Sequence, residues 1–397
     1  MSGQTTLDDA LQVVIDHRGK TPKKLGGDWS VSGHRVVSAL NIKGSRVDEN
    51  DHHYVDDVLY AKWMKEPLRR GDVLLTSEAP LGEVAYLSRD VDWCLGQRLF
   101  GLRADPSILD GRFLFYLLRG GPVRDQLFAR ATGSTVSGIR QSELLKIELD
   151  LPSLKDQREI AATLGALDDK IHSNAAIRKL LRSLGLAHLD SARAKASTRS
   201  TELRGLTQSI SRGVTPKYSE EAAGSTMVLN QKCIRDGWVN IAQARLMVER
   251  AMPEAKRVVA GDILINSTGV GTLGRVGRWH SGLAAADSHV SIVKPNAEVV
   301  GPTVLAYSLF GREVDIEAMA TGSTGQTELS PDRLGELIVS VPTGSNSSAL
   351  EATLIAIENK IDSLRIEEEL LERTRDALLP ELLAGRMHAS ETTEVVS

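Results

Sequence analysis

Two stretches rich in Gly, Ser and Thr could hold a phosphate group. The sequence RATGSTVSGIRQSELLKIELDLP covers residues 130–152, and MATGSTGQTELSPDRLGELIVSVP covers residues 319–342. Small residues of this kind form turns whose backbone N–H groups and hydroxyls suit anions. A nucleotide site needs one such loop, so the second copy indicates a different purpose.

Motifs of catalysis are weak in this chain. The segment GVGTLG, residues 269–274, fits the pattern GxGxxG, but a dinucleotide site needs a helix to begin there. The following RVGRW predicts a strand, so we interpret the segment as a glycine-rich turn. The sequence has no GxxxxGK[ST] and no Asn-Pro-Pro-Tyr or Asp-Pro-Pro-Tyr motif, and the pair Asp168-Asp169 is predicted to lie on a solvated helix face. We therefore expect a non-catalytic chain.

The chain contains an internal repeat with an offset of about 190 residues. Four matches keep the same order: RGKTPKK at 18–24 with RGVTPKY at 212–218, GDVLLTS at 71–77 with GDILINS at 261–267, ATGST at 131–135 with ATGST at 320–324, and EIAATLGALDDKI at 159–171 with ALEATLIAIENKI at 349–361. Chance does not produce four collinear matches, so the sequence is a tandem duplication.

Each repeat has the same order of predicted elements. Short apolar runs between Gly, Pro, Asn and Asp predict strands joined by turns, and a short helix, the ATGST loop and a strand ending at Pro152 or Pro342 follow. A long helix is predicted after each proline. The predicted fold is α+β, with two pseudo-symmetric β-rich domains joined by a long antiparallel two-helix coiled coil. The predicted divisions are a first domain at 1–152, a central helical spacer at 153–195, a second domain at 196–342, a distal helical spacer at 343–388 and a disordered tail at 389–397.

Apolar residues in the two long helices recur in steps of three and four, which is typical of a coiled-coil seam. The seam residues are Ile160, Leu164, Leu167, Ile171, Leu181 and Leu184 in the first helix, and Leu350, Leu354, Ile357, Ile361, Leu364, Leu371 and Leu378 in the second. Asn174 places a polar side chain on the first seam. Pro380 predicts that the second helix kinks or ends nearby, and Gly385 is a suitable stop. Residues 196–200, ASTRS, are predicted to form a linker.

Loops at matched places carry the side-chain types that reach phosphates and base edges. These DNA-binding candidates are Arg18, Lys20, Lys43, Thr76, Ser77, Gln97, Arg98, Ser134 and Thr135 in the first repeat, and Arg212, Lys217, Lys232, Asn266, Ser267, Ser288, His289, Ser323 and Thr324 in the second. Each alone could equally shape a turn. The positions correspond while the residue types differ, as expected of two domains that bind different sequences. Two such domains would meet half-sites roughly 34–36 Å apart.

Composition limits the class of partner. An aromatic content of 4% argues against stacking on single strands, so duplex DNA is the favoured partner. The net charge of −4 still allows local clusters of Arg and Lys. Cys94 and Cys233 lack metal-site spacing, no metal is expected, and the cysteine content fits a reducing cytoplasm. The sequence has no long apolar run for a membrane and begins without a secretion signal.

From about residue 5 to about 388, the sequence resembles the specificity subunits of type I restriction-modification systems. The marks are the RGxTP and GD[IV]L motifs, the TGST loop, LPSLKDQREIAATLGALDDKI at 151–171 and ALLPELLAGRM at 377–387. The resemblance implies two target recognition domains, each reading half of a split, asymmetric DNA site. It also implies that the helices set the spacing and dock two methyltransferase subunits, joined by restriction/translocase subunits. S-adenosylmethionine would belong to the methyltransferase, and ATP and Mg²⁺ to the restriction subunit.

One departure from this pattern and two alternatives stay open. The second repeat has NSSA at residues 346–349 where the first has DQRE, so the two helix starts need not dock a methyltransferase in the same way. The chain could instead be a specificity module of another phage-defence or modification system, or a coiled-coil adaptor with no role on DNA.

Overall fold

The computed structural model describes residues 3–50, 53–133, 136–195, 197–321, 327–343 and 347–387. Two compact units divide the chain. The first unit contains Met1–Ser173 and Glu367–Ser397, and the second contains Asn174–Ile366. Each unit thus holds one β-rich domain and part of both long helices. The tail 389–397, which was predicted to be disordered, lies outside the described residues.

The main sheet of the first unit is antiparallel, and a smaller sheet includes a parallel pair of strands, His34–Val37 and Cys94–Leu95. Its strands are β1 (Gly3–Thr6), β2 (Leu11–Asp16), β3 (His34–Val37), β4 (Ile42–Lys43), β5 (Arg46–Val47), β6 (Tyr54–Val55), β7 (Val73–Thr76), β8 (Val84–Tyr86), β9 (Cys94–Leu95), β10 (Leu99–Ala104) and β11 (Glu148–Leu151). Its helices are α1 (Leu7–Ala10), α2 (Asp57–Trp63), α3 (Gly111–Leu117), α4 (Gly121–Ala129), α5 (Gln141–Leu144) and the start of α6 (Leu154–Lys195). The main sheet has the order β2-β10-β7-β8, and β1 pairs with β11.

The second unit repeats this plan. Its strands are β12 (Thr198–Glu202), β13 (Thr207–Arg212), β14 (Tyr218–Ser219), β15 (Ser225–Leu229), β16 (Ile234–Arg235), β17 (Trp238–Val239), β18 (Arg245–Val248), β19 (Arg257–Val258), β20 (Ile263–Asn266), β21 (Val276–Arg278), β22 (Ala284–Ala286), β23 (Val290–Pro295) and β24 (Ile338–Pro342). Its helices are α7 (Pro302–Leu309), α8 (Glu313–Ala318), α9 (Pro331–Gly335) and most of α10 (Ser347–Leu383). The order β13-β23-β20-β21 matches the main sheet of the first unit, and β12-β24 matches β1-β11.

Short 3₁₀ helices connect several strands. They cover Lys23–Leu25, Ala39–Asn41, Leu203–Leu206, Gln231–Cys233, Ile241–Gln243 and Glu254–Lys256. The predicted linker at 196–200 is partly wrong, because Thr198–Glu202 forms β12 and pairs with β24 from Thr198↔Pro342 to Glu202↔Ile338. The polar sequence gave no sign of this strand, which gains its hydrogen bonds from a partner far along the chain.

The run after each Gly-Asp pair is buried on both faces of its sheet. In β7, Val73 and Leu75 pack into one apolar cluster while Leu74 packs into another. In β20, Ile263 and Ile265 face one cluster and Leu264 faces the other. A strand covered on both faces needs continuous apolar residues rather than alternation. This explains the sequences VLL and ILI at the matched positions.

Within each unit the two long helices pack side by side. In the first unit, Leu379 and Leu382 of α10 join Ile160 and Leu164 of α6 in one core. Lys170 pairs with Glu367 at 3.2 Å, and Asp168 pairs with Arg375 at 2.8 Å. Residue numbers rise along α6 as they fall along α10, so the helices are antiparallel. The predicted α+β fold class is confirmed.

The predicted seam residues are buried in the first half of each long helix and less buried in the second half. The buried seam residues are Ile160, Leu164, Leu167, Ile171, Leu350, Leu354, Ile357, Ile361 and Leu364. Leu181, Leu371 and Leu378 are half-buried. The prediction for Leu184 is wrong, because its side chain is 48% exposed. The buried face of α6 there carries Gly185, where a Cβ would lie 2.3 Å from the Tyr307 ring, and Leu189 one turn later.

The structure also shows where Asn174, Pro380 and Gly385 lie in the long helices. Asn174 is fully buried. The last helix passes Pro380 and ends at Leu383, and Gly385 follows with φ of 64°.

Candidate DNA-binding loops

The Gly-Asp motif is a structural anchor below the candidate loops. Asp72 accepts a hydrogen bond from the Arg69 backbone N–H at 2.8 Å and two from the Arg103 guanidinium, at 2.8 and 2.9 Å. Asp262 accepts from the Val259 N–H at 2.9 Å and from Lys294 Nζ at 2.7 Å. Burial raises the pKa of Asp262, and Lys294 partly opposes that rise. Each aspartate therefore fixes the turn that leads into its buried strand.

The strand that follows ends in buried polar side chains. Thr76 Oγ1 donates to the Pro80 carbonyl at 2.6 Å and accepts from the Glu83 N–H at 2.8 Å. Ser267 Oγ lies 2.6 Å from Ser291 Oγ, and Asn266 Nδ2 donates to the Gln231 carbonyl at 3.1 Å. Thr76, Asn266 and Ser267 are completely buried, and Ser77 is nearly so. The buried side chains of these four candidates therefore support the loops and are not presented to solvent.

Above them, the two units share one set of backbone hydrogen bonds. The Ser77 N–H donates to the Arg98 carbonyl and the Ile139 N–H donates to the Ser77 carbonyl, both at 2.9 Å. In the second unit the same bonds join Ser267 to His289 and Leu329 to Ser267, again at 2.9 Å. We call residues 77, 98 and 139, and their counterparts 267, 289 and 329, the loop frame.

The ATGST loop closes onto this frame in both units. Thr132 and Gly138 exchange two backbone hydrogen bonds of 2.9 Å, and Thr321 and Glu328 exchange bonds of 2.9 and 3.0 Å. The candidates Ser134, Thr135, Ser323 and Thr324 lie outside the described residues.

The arginine of each RGxTP motif braces the loop frame. Arg18 binds both oxygens of Asp16, at 2.9 and 2.7 Å, and donates to the Ile139 carbonyl at 3.2 Å. Arg212 donates to the Leu329 carbonyl at 2.6 Å, to Glu328 at 2.7 Å and to the Ser288 carbonyl at 2.9 Å. Burial lowers the pKa of Arg212 despite the nearby Glu328.

In each unit the exposed residue of the loop frame contacts the half-buried residue that follows the frame serine. In the first unit Arg98 Nε lies 3.2 Å from Glu78 Oε1, with the two side chains 51% and 43% exposed. In the second unit His289 Nδ1 lies 2.8 Å from Thr268 Oγ1. Gln97 is exposed beside Arg98, and Ser288 is half-buried beside His289.

A polar cavity of about 470 Å³ is lined by four of the candidates of the first unit. Its lining residues are Asp16, Arg18, Gly19, Ser77, Glu78, Gln97 and Arg98. The candidate lysines do not line it. Lys20 Nζ donates to the Trp63 carbonyl at 2.9 Å, and Lys43 pairs with Asp48 at 2.8 Å. Lys217 and Lys232 are exposed in the second unit.

Sequence reasoning missed a buried acid that joins the first domain to the helices. The prediction that Asp168 lies on a solvated face is wrong, because it is 5% exposed. It accepts from the Tyr116 hydroxyl at 2.7 Å, from Arg119 at 3.0 Å and from Arg375 at 2.8 Å. Burial alone would raise the pKa of Asp168, but the two arginines and the tyrosine hold it below its usual value. Burial beside this acid raises the pKa of Tyr116.

The second unit contains the matching cluster. Glu358 accepts from the Tyr307 hydroxyl at 2.6 Å and pairs with Arg182 at 3.0 Å. Arg182 also lies over the rings of Tyr307 and Phe310. Asp168 and Glu358 occupy the same position of the repeat, as do Tyr116 and Tyr307 within one residue. That correspondence was the signal that could have revealed both clusters.

Alternative site chemistries find little support. Residues 269–274 form the turn between β20 and β21, and no helix begins there. The described residues contain no group of three or more His, Cys, Asp or Glu side chains arranged to hold a metal ion. Cys94 and Cys233 are free and buried, and burial raises the pKa of the Cys94 thiol to about 12. Within the described parts of the chain, no helix combines the length and apolar character needed to cross a membrane.

Comparison with known proteins agrees with this architecture. Residues 6–182 match the family described as type I restriction modification DNA specificity domain. The MjaX specificity subunit of a type I restriction enzyme from Methanocaldococcus jannaschii is 28% identical over 172 residues, which are 42% of this chain and 39% of that protein. The MjaIX specificity subunit from the same organism is 29% identical over 117 residues, 30% of this chain and 26% of that one. The aligned segments thus span about two fifths or less of these relatives.

A solved structure extends the likeness in fold to nearly the whole chain. The crystal structure of a type I restriction-modification system S subunit from M. genitalium covers 96% of each chain, with a TM-score of 0.60 and 20% identity. The fold is that of a two-domain specificity subunit with long helices. The chain is thus similar to type I restriction-modification specificity subunits in sequence over residues 6–182 and in fold over nearly its whole length.

Proposed function

We propose that the chain selects the DNA sequence for a type I restriction-modification complex. Each β-rich domain binds one half of a bipartite, asymmetric site in duplex DNA. The observation that carries this proposal is the loop frame, which has the same backbone hydrogen bonds in both units but bears Glu78 and Arg98 in one and Thr268 and His289 in the other. Two readers of different sequences require shared backbone hydrogen bonds that carry different side chains.

The proposal assigns the remaining candidates to two roles. One group contacts base edges or the sugar-phosphate backbone, and it consists of Gln97, Ser288, Lys43, Lys217 and Lys232. Phosphate contacts fix the position of a protein on the duplex, while contacts to base edges specify the sequence. Thr76, Ser77, Asn266 and Ser267 support the loops from inside, and Arg18 and Arg212 hold the carbonyls of Ile139 and Leu329 in the loop frame.

The long helices set the number of base pairs between the half-sites and dock two methyltransferase subunits. Restriction/translocase subunits complete the complex. In this proposal S-adenosylmethionine is bound by the methyltransferase subunits, and ATP and Mg²⁺ by the restriction subunits. The start of α6 also has an internal role, since Gln157 of the DQRE motif accepts from the Asp110 N–H at 2.9 Å and donates to the Ile108 carbonyl at 3.0 Å.

Selection from a random duplex library tests this function on the full chain with its methyltransferase subunit. We expect two short blocks of defined sequence separated by a fixed unspecified gap. Replacing residues 18–150 with the first domain of another specificity subunit should change one block and leave the other and the gap intact. A single continuous block, or a change in both blocks, would contradict the two-reader proposal. An adaptor without a role on DNA would select no sequence.

A further inference from the structure

The paired side chains on the loop frame occupy equivalent positions in the two units. Glu78 and Thr268 each follow the buried serine that comes directly after the Gly-Asp strand. Arg98 and His289 each supply the carbonyl that accepts from that serine's N–H, at 2.9 Å in both units. These backbone hydrogen bonds are therefore the same in both units, whereas the side chains of the pairs differ, and Arg98 alone of the four residues has a positive φ, of 62°.

These pairs differ from their neighbours in exposure. Ser77 and Ser267 are buried directly beside them, whereas Glu78 and Arg98 are roughly half exposed. The ion pair at 3.2 Å holds a planar donor and a carboxylate acceptor next to each other at the rim of the polar cavity. An exposed ion pair contributes little to stability, so stability does not account for its placement.

The residue opposite each pair is matched to it. Gly138 faces Glu78 across a β-bridge, and a Cβ at Gly138 would lie 3.1 Å from Glu78 Cβ. In the second unit Glu328 faces the smaller Thr268, and its carboxylate is held by Arg212 at 2.7 Å. Each unit therefore has room for its own pair, and the glycine keeps space for the larger glutamate.

We propose that Glu78–Arg98 and Thr268–His289 are the pairs that specify a base pair in each half-site, and that the first reads G·C. The proposal rests on the proposed function. Guanine presents its O6 and N7 acceptors in the major groove, and the paired cytosine presents its N4 donor. Arg98 supplies donors to guanine, and Glu78 accepts from cytosine N4. Thr268 supplies a hydroxyl and a methyl group, and His289 supplies an imidazole. These groups suit an A·T pair, whose thymine carries a methyl group.

Transplanting the second pair into the first frame tests the inference. The variant is Glu78→Thr with Arg98→His in the full chain, assayed by duplex selection with the methyltransferase subunit. We expect the first half-site to lose its G·C preference at one position by roughly ten- to a hundred-fold. The second half-site should remain as in the unaltered protein, which also shows that the variant is folded.

A matched control exists in the same unit. Arg89 and Glu49 form another exposed ion pair, at 2.9 Å, away from the loop frame. The variant Glu49→Thr with Arg89→His removes the same two charges and should leave both half-sites unchanged. The single variant Glu78→Gln keeps the side-chain size, and we expect it to weaken the G·C preference at that position less than the transplant does, because Arg98 continues to favour guanine.

Three outcomes would overturn the inference. The transplanted variant could select the original first half-site, which would show that the pair only shapes the loop. The control could relax the first half-site as much as the transplant does, which would show a general effect of charge. The unaltered protein could select no bipartite site at all, which would overturn the proposed function and this inference together.

Discussion

The two units build the same supports from different side chains. Their main sheets have the same strand order, their Gly-Asp motifs fix the same turn, and their loop frames have the same hydrogen bonds. The basic partner of the aspartate is Arg103 in one unit and Lys294 in the other. The difference teaches that the backbone frame depends on an acid at a set position, while the group that neutralises it can vary.

The basic partners of the buried acids Asp168 and Glu358 also differ between the two units. Asp168 has two arginine partners, Arg119 and Arg375, while Glu358 is paired with Arg182. Arg375 of α10 corresponds in the repeat to Gly185 of α6, and Arg182 of α6 corresponds to position 372 of α10. Arg375 and Arg182 therefore lie one helical turn apart on equivalent segments of the two long helices. In each unit, nevertheless, one tyrosine of the domain donates a hydrogen bond to one acid of a long helix.

Removing Asp168 or Glu358 should have the largest effect on stability, and each variant should destabilise one unit only. We expect Asp168→Ala to destabilise the first unit by about 3–5 kcal/mol, because Arg119 and Arg375 would lose a buried partner. Glu358→Ala should do the same to the second unit. Peptide-resolved hydrogen exchange would locate each effect, in residues 154–173 for the first variant and 347–366 for the second.

The neighbour Asp169 provides the control for this comparison. It forms one ion pair, with Arg112 at 2.8 Å, and its side chain is 63% exposed. Because exposed ion pairs contribute about 0–1 kcal/mol, Asp169→Ala should change exchange only slightly. Equal loosening of both units by Asp168→Ala would show that the two clusters do not act separately.

Lowering the pH should change the stability of the two units in opposite directions at one pair of equivalent residues, His172 and Asp362. Burial, with Arg46 nearby, lowers the pKa of His172 to about 4, whereas burial raises the pKa of Asp362, its counterpart in the repeat. Between pH 6.5 and 4, His172 binds a proton more readily in the unfolded chain, so its contribution to stability falls as pH falls. For Asp362 the folded state binds the proton more readily, so its contribution rises as pH falls below its raised pKa.

The expected loss at His172 reaches up to about 3 kcal/mol, since one pKa unit corresponds to about 1.4 kcal/mol. Hydrogen exchange of residues 154–173, followed from pH 7 to pH 4 and corrected for intrinsic rates, would measure it. His172→Gln should flatten that dependence, and Asp362→Asn should reduce the opposite trend in the second unit. A profile of the first unit that His172→Gln leaves unchanged would assign the pH response to other groups.

The repeat made the general fold predictable, but the long-range contacts were not. Collinear motifs predicted two equivalent domains, and the three-four spacing predicted the helices. Burial of Asp168 depends on Arg119 and Arg375, which lie 49 and 207 residues away in the sequence. Similarly, Ser267 is a polar residue beside a loop, and its contact with Ser291 on the neighbouring strand β23, 24 residues away, explains why it is buried. Local patterns contain no information about such partners.

The smallest effect should come from exchanging the basic partners of the Gly-Asp aspartates. Arg103 makes two hydrogen bonds to Asp72, one to the Pro67 carbonyl at 2.8 Å, and contacts Glu66. A lysine cannot reproduce this planar set of donors, so Arg103→Lys should destabilise the first unit by about 1–2 kcal/mol. Urea unfolding of the full chain, with hydrogen exchange of residues 69–76 to locate the change, would measure it. The reciprocal Lys294→Arg is the control, because Asp262 already binds a single ammonium group at 2.7 Å and gains no required donor. If Arg103→Lys were neutral, the first unit would need only the charge of its partner, as the second does.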